Sequence, residues 1–458
     1  MSKENRIPQE NKMGTMPIGK LLFTMALPMI IAMLVQALYN VVDSIYVSQI
    51  SESAVTALGL AFPVQNILIG FATGIGVGVN SLLSKSLGEG DQKAANRAAG
   101  NGVFLVLLAT AAFILFGLFG SRPYFEIQST VAETVDGGTI YTAICCIGSL
   151  GIFVEVLGER LLQSSGRTFY TMITQGTGAV VNIVLDPVFI FGVEPLGIPP
   201  MGIAGAAIAT VIGQWIAAIL AVIFNFKCNP DVQFAFSYCK PKTKTLRPIL
   251  TVGIPSIIMM AIGSVMNFGM NQILQSFHET ATGVFAIYFK LQSFFFMPLF
   301  GINNATISIV AYNYGARNPK RITGTLLRAS MTAFCIMIAG LLVFQFFPDL
   351  LLGIFNPSEE FLRIGRSALR IISICFPAAA FGIALSASFQ ALGDGIYSTI
   401  TSLCRQLIVL LPVAYLLSLT GEVVNVWWAF PIAEVASLCA TLFFFARIYR
   451  KKIKPLAQ

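Results

Sequence analysis

A chain of 458 residues that is 56% hydrophobic and only 11% charged is not a soluble protein, because soluble domains carry about 25% charged residues. Its apolar runs are continuous rather than alternating, which excludes a membrane barrel, the other architecture that satisfies backbone polar groups in lipid. The formal charge of +8 is spread over short connections between those runs, so it calls for no nucleic-acid partner.

About 20 mostly apolar helical residues cross a hydrocarbon layer about 30 Å thick, and the chain offers twelve such stretches. Residues 1–20 read as a polar cytoplasmic tail with Lys3, Arg6, Lys12 and Lys20. They hold no short apolar core before a cleavage site, so no cleaved signal peptide is expected. Spans at 21–47, 57–83, 99–120, 138–158, 171–192 and 202–226 make a first six-helix bundle over 21–226. A polar linker follows at 227–247, with Pro230, Pro241 and several lysines. Spans at 248–275, 283–311, 325–347, 364–388, 398–419 and 426–446 make a second bundle over 248–446, and 447–458 form a basic tail. Prolines inside spans, among them Pro28, Pro63, Pro187, Pro255, Pro298 and Pro377, remove backbone hydrogen bonds and are expected to bend their helices.

Charge sorts by side. Lys85, Lys93, Arg97, Arg167, Lys242, Lys244, Arg317, Lys320, Arg450 and Lys451 occupy one set of connections; Glu52, Glu194, Glu279, Glu359, Glu360 and Glu422 occupy the other. This positive-inside pattern places both termini in the cytoplasm of a bacterial inner membrane. The eight cysteines form no CxxC pair and the lone histidine is His278. No metal or cofactor is therefore expected, and neither is a membrane enzyme, since no GxSxG motif occurs.

The chain also repeats itself. At an offset of 227 residues Pro28 meets Pro255, Gln65 meets Gln292, Gly74 meets Gly301, Gly88 meets Gly315, Gln163 meets Gln390 and Gly166 meets Gly393. Six spans lie within the offset, so the halves run parallel, related by an axis along the membrane normal.

Ionisable groups deep in a span mark function by default. Asp43 in span 1 shares a helix face with Gln36 and Tyr39, with Asn40 beside them. Asp186 in span 5 shares a face with Asn182 and Gln175. Their repeat counterparts are apolar: Met270 for Asp43, Met266 for Tyr39, Val409 for Asn182 and Val413 for Asp186. Two polar stripes present in one half alone point to one hydrated chamber there. Two carboxylates close together in low dielectric cannot both ionise cheaply, so the chamber suits a proton, with Na⁺ at Asp43 and Asp186 as the rival. Met266, Met270 and Phe289 belong to Met- and Phe-rich stretches of spans 7 and 8, side chains that suit a promiscuous pocket for organic cations. Lys290, Arg370 and Glu434 sit at similar depth in spans 8, 10 and 12 and are expected to form a structural charge cluster. Glu155, Arg160 and Arg405 are expected to snorkel to the interface.

The run LQSSGRTFYTMITQGTGAVVNIVLDPVFIFG over 162–192, continued by MGIAGAAIATVIGQ from Met201, resembles the signature of the multidrug and toxic compound extrusion (MATE) family. The run LPMIIAMLVQALYNVVDSIYVSQI over 27–50 is similar to that family's first helix. The resemblance covers nearly the whole chain and leans toward the prokaryotic multidrug and DNA-damage-inducible branches. It implies an all-α polytopic fold of twelve helices in two parallel six-helix bundles, V-shaped, that acts as a monomer and exports lipophilic cations against proton or sodium flow. It also implies that Tyr39, Asp43, Asn182 and Asp186 form the ion-linked network, with Tyr141 in span 4 a further member. Family branches with sodium acids on helices 7 and 10 are not matched here, where span 7 offers Asn267, Asn271, Gln272 and Gln275 and span 10 has no acid. The same superfamily contains flippases for lipid-linked precursors, the alternative reading.

Overall fold

A computed structural model describes residues 11–457 except 194, 196, 278, 356 and 357; the side chains of Asn40, Val41, Ser44, Ser48, Glu52, Glu279 and Ala457 also lie outside the description. His278, Glu194 and the basic residues of the first ten positions therefore lie outside the described residues.

The chain is an all-helical, polytopic membrane protein. Span 1 is Ile18–Ser48 and span 2 Glu52–Gly88. Span 3 runs over Gln92–Gln128 through a π-helical turn at Phe116–Gly120. Span 4 is broken into Ala132–Ile147 and Leu150–Ser164, bent by 45°. Span 5 is Thr168–Phe191 and span 6 Ile203–Cys228. Span 7 is Thr243–Gln275, span 8 Glu279–Gly315 and span 9 Pro319–Phe346. Span 10 is broken into Glu359–Ser373 and Phe376–Ala391, bent by 47°. Span 11 is Gly395–Ser418, with a π-helical stretch at Cys404–Leu410, and span 12 runs over Val423–Leu456.

The first turns of spans 2, 3 and 9 are capped by polar side chains that satisfy orphan backbone donors. Ser51 accepts from Ala54 N at 3.1 Å, Asp91 from Ala94 N at 2.9 Å and Asn318 from Arg321 N at 3.2 Å. Asp91 and Asn318 are repeat counterparts, as are Gly166 (φ +79°) and Gly393 (φ +80°). Both glycines end a helix in the left-handed region, where a Cβ is disfavoured, and both turns close alike: Arg167 N donates to Leu162 O and Asp394 N to Phe389 O, each at 2.7 Å.

Of the two sharp breaks only the second falls where a proline predicts it, within one turn before Pro377. Pro28, Pro63, Pro187, Pro255 and Pro298 sit inside unbroken helices. The breaks lie at 148–149 and 374–375, matching places in the two halves, and Pro377 stands just inside the segment after the second break, where its missing N–H costs nothing.

The two halves meet along spans 1, 2, 7 and 8. At the end that carries the linker and both described chain ends, buried apolar clusters draw on both halves: Val77 packs with Val252, Ile307 and Ala387, and Met25 with Ile302 and Ala305. At the opposite end the buried clusters stay within one half. Val47, Ala54, Phe125 and Ile190 form one, and Phe285, Phe344, Ile364 and Trp427 belong to the other. The seam at the linker end is reciprocal. A Cβ on Gly88 would lie 1.9 Å from Tyr312 O, and one on Gly315 would lie 2.1 Å from Lys85 O. Each contact is the other moved by the repeat offset. Gly74 against Ile257 and Gly301 against Ile30 repeat the pattern. Large apolar side chains such as Phe23, Leu108, Phe226 and Phe443 are exposed around the outside, as lipid contact requires.

The connections at the linker end are docked rather than free. A short helix at Lys12–Thr15 is held on the second half by Arg321, whose Nη2 donates to Met13 O and Met16 O at 2.9 and 2.8 Å. Asp231 pairs with Arg167 at 3.6 Å. Burial raises the Asp231 carboxyl from its usual range against the pull of that guanidinium, and burial and Arg167 lower the Lys12 ammonium. Lys452 reaches Asp394 at 2.8 Å and Leu392 O at 2.7 Å, so the last turns of the chain pack on the start of span 11.

Candidate functional site

Spans 5 and 6 come close enough to share a polar network because glycine faces glycine between them. A Cβ on Gly178 would lie 3.1 Å from Gly213 O, and one on Gly213 would lie 2.8 Å from Gly178 O. The approach sets Asn182 against Thr210. The Asn182 amide is satisfied at both ends when Nδ2 donates to Asp186 Oδ2 at 3.2 Å and its oxygen accepts from Thr210 Oγ1 and Thr210 N, each at 3.2 Å. Asp186 is fully buried and Asn182 nearly so.

Span 1 packs along span 5 and brings Asp43 within electrostatic reach of Asp186. One carboxylate oxygen of Asp43 is buried with no hydrogen-bond partner among the described residues. Such an oxygen is costly unless it holds a proton or an ion. Tyr39 lies within reach of both acids. Tyr141, buried on the first segment of span 4, accepts from Gln65 Nε2 at 2.7 Å and lies within reach of Asp43 and Tyr39. Spans 1, 2, 4, 5 and 6 of the first half thus converge on one buried polar site. Among the described residues no group of three or more His, Cys, Asp and Glu side chains could hold a metal.

The structure therefore brings together Tyr39, Asp43, Tyr141, Asn182 and Asp186, and adds Gln65 and Thr210. Gln36 and Gln175 are half-buried on spans 1 and 5, and the side chain of Asn40 lies outside the description. Thr210 leaves little trace in the sequence, being one hydroxyl in an apolar span. Gln65 is marked only by its repeat partner Gln292.

Met266 and Met270 are buried in the core of the second half, with Phe289 packed against them. Three expectations are corrected. Lys290 and Arg370 are exposed and form no cluster with Glu434. Glu434 pairs instead with Arg405, Oε2 to Nη1 at 3.6 Å, across spans 12 and 11, because those helices pack side by side and shared depth alone does not make neighbours. Arg405 is thus a partner rather than a snorkelling side chain. Arg160 does not snorkel either: it is 8% exposed, and its Nη1 donates to Gln163 Oε1 at 3.0 Å and Asn304 Oδ1 at 2.9 Å.

A first prediction follows from the corrected pair. Glu434→Gln leaves Arg405 without its countercharge, which costs between the roughly 0–1 kcal/mol of an exposed pair and the about 3–5 kcal/mol of a buried one. Thermal unfolding of the purified variant should show this loss, with transport per folded molecule close to the parent's. A variant of parent stability that no longer transports would assign Glu434 to transport instead.

A family model described as MatE matches residues 28–188 and again 255–416. The two matches begin one repeat offset apart. The chain is similar to the multidrug export protein MepA of Staphylococcus aureus, 23% identical over 425 residues, 93% of this chain and 92% of the relative. Among solved structures it is similar to a multidrug resistance MATE family transporter of the MOP superfamily in its outward-facing conformation, at a TM-score of 0.91 and 26% identity, covering 99% of this chain and 100% of the other. A MOP superfamily transporter from Pyrococcus furiosus, for which reverse polarity of the binding pocket suggests a different function, is similar at a TM-score of 0.90 and 26% identity, covering 99% and 100%.

Proposed function

Because the chain belongs to the MatE family of multidrug and toxic compound extrusion transporters, we propose that it exports lipophilic organic cations in exchange for protons moving inward through the Asp43–Asp186 site. The observation that carries this reading is the buried polar site itself: two acids on adjacent spans, one with an oxygen unpartnered among the described residues, in the half of the repeat that alone has them. The multidrug function of the similar proteins supports the substrate class.

The mechanism is competition. With its acids ionised the chamber attracts an organic cation. A proton arriving from the outer side neutralises a carboxylate, changes the Asn182–Asp186–Thr210 hydrogen bonds and expels the cation. On this reading the basic linker end is the cytoplasmic side, and the joint packing of both halves there with separate cores opposite supports an outward-facing state. Rocking about the glycine seam would supply the other state. Sodium in place of the proton would use the same oxygens.

Cells making the protein are expected to retain less of a fluorescent lipophilic cation such as ethidium, measured by whole-cell fluorescence against cells making Asp186→Asn. Equal retention across a broad panel of organic cations, with the protein inserted, would favour a flippase for a lipid-linked substrate.

A further inference from the structure

A second cluster of buried ionisable groups lies on the linker side of the carboxylate site, and the competition described above makes no use of it. The second segment of span 4 carries Glu155 and Glu159, four residues apart and hence on one face, about 6 Å apart along the axis. Glu155 lies within electrostatic reach of Tyr39 on one side and of Glu159 on the other. Glu159 is 3% exposed and accepts from Thr174 Oγ1 of span 5 at 2.8 Å. Beside it Arg160 turns the other way, and the two oxygens its Nη1 bonds are neutral amides. One of them, Asn304 Oδ1, stands on span 8 of the opposite half. Arg160 therefore ties the halves together within the linker-end seam. Its stem lies against Gly76 of span 2, where a Cβ would meet Arg160 Cγ at 2.8 Å. Asn80 continues the seam, accepting from Ser84, Ser164 and Ser308 at 3.1, 2.8 and 3.1 Å. The titratable groups acting on the two acids are Tyr39 from span 1 and Arg160 from their own helix; the neighbours from spans 5 and 8 are the neutral Thr174 and Asn304.

We infer that Glu155 and Glu159 form a second proton-binding step between the Asp43–Asp186 site and the linker end, and that ionised Glu159 draws Arg160 off Asn304 and so releases the two halves. This rests on the proton-coupled reading above. The step moves only a proton, from the carboxylate site to Glu155, on to Glu159 and then to water at the linker end. While Glu159 holds the proton, Arg160 keeps its bond to Asn304. Once Glu159 is charged, a charge-assisted pair with Arg160, roughly twice as strong as a neutral hydrogen bond, competes for the same guanidinium.

The test is hydrogen exchange at the linker end, over the peptides that contain residues 76–88 and 301–315, across a range of pH in the full-length protein. In the parent, exchange there, taken relative to the intrinsic base-catalysed amide rate at each pH, should rise with pH. Glu159→Gln, which cannot ionise, should flatten that rise and keep the seam protected. Asn304→Ala should raise exchange at every pH by about tenfold or more, the worth of a hydrogen bond from a charged donor, and should restore opening when added to Glu159→Gln. Asn303→Ala, next to it on span 8, serves as the control and should behave as the parent. Glu159→Gln with the parent's pH profile, or Asn304→Ala with the parent's protection, would overturn the inference. Export measured in parallel separates the failures: a parent that does not respond to a pH gradient contradicts the proton-coupled reading itself.

Discussion

Asp186→Asn is expected to reduce pH-gradient-driven export to background while the protein stays folded in the membrane, and Asp43→Asn is expected to do the same. Asn keeps the shape of a protonated Asp but cannot cycle its charge. The Asn182 amide that donates to Asp186 at 3.2 Å can donate equally to an Asn oxygen, so packing and hydrogen bonding survive. The substitution also removes a charge from a fully buried position, where ionisation is expensive, so stability should hold or rise. Changes that tune the acids rather than carry the ion should cost less. Thr210→Ala removes about one hydrogen bond, worth roughly 1 kcal/mol or about fivefold in rate; Asn182→Ala removes its bonds to Asp186 and Thr210 and should cost more, and Tyr39→Phe removes a hydroxyl within reach of both acids. The measurement is initial export rate per folded molecule in proteoliposomes. Parent-like export by both Asp→Asn variants would move the coupling site away from spans 1 and 5, with Glu155 and Glu159 the next acids to examine.

The second large effect is conformational. Gly88→Ala should open the linker-end seam, because the new Cβ would stand 1.9 Å from Tyr312 O, a backbone atom that cannot rotate away. Gly315→Ala should do the same through Lys85 O at 2.1 Å. Overpacking of this kind costs about 1–3 kcal/mol, enough to shift a balanced two-state transporter by roughly five- to a hundredfold toward its linker-open form. Gly59→Ala lies on the same span with nothing within 4 Å of the added carbon. It should leave the equilibrium unchanged and add up to about 1 kcal/mol of helix stability. Hydrogen exchange of the peptides around residues 85–92 and 312–319 reads the difference. Equal protection in Gly88→Ala and Gly59→Ala would mean that the glycine seam does not hold the halves.

These expectations also mark how far the sequence reaches. Span number, parallel halves and the repeat offset are legible because long apolar runs and recurring Gly, Pro and Gln positions are one-dimensional signals. The offset even anticipates the Gly88–Gly315 reciprocity, which appears once two spans are known to cross. The facing of one helix toward another is not legible. Glu434 and Lys290 share a depth, yet the partner of Glu434 is Arg405, set by the packing of spans 11 and 12. The break of span 4 was hidden because Gly148–Ser149 holds no proline, whereas that of span 10 lies within one turn before Pro377 and was signalled by it. In the site, Asp43 and Asp186 stand out because a charge in a span is conspicuous. Thr210 does not, since one hydroxyl can bond its own helix at no cost and its partner Asn182 is reached only through the close approach of Gly178 and Gly213.

The most direct test of the proposed coupling is transport of an organic cation by the purified parent protein in proteoliposomes, with pH and sodium gradients imposed separately. The account predicts that an inwardly directed proton gradient at equal sodium drives uphill export, and that Asp186→Asn abolishes it. Export that follows the sodium gradient alone, or that persists in Asp186→Asn, would contradict it.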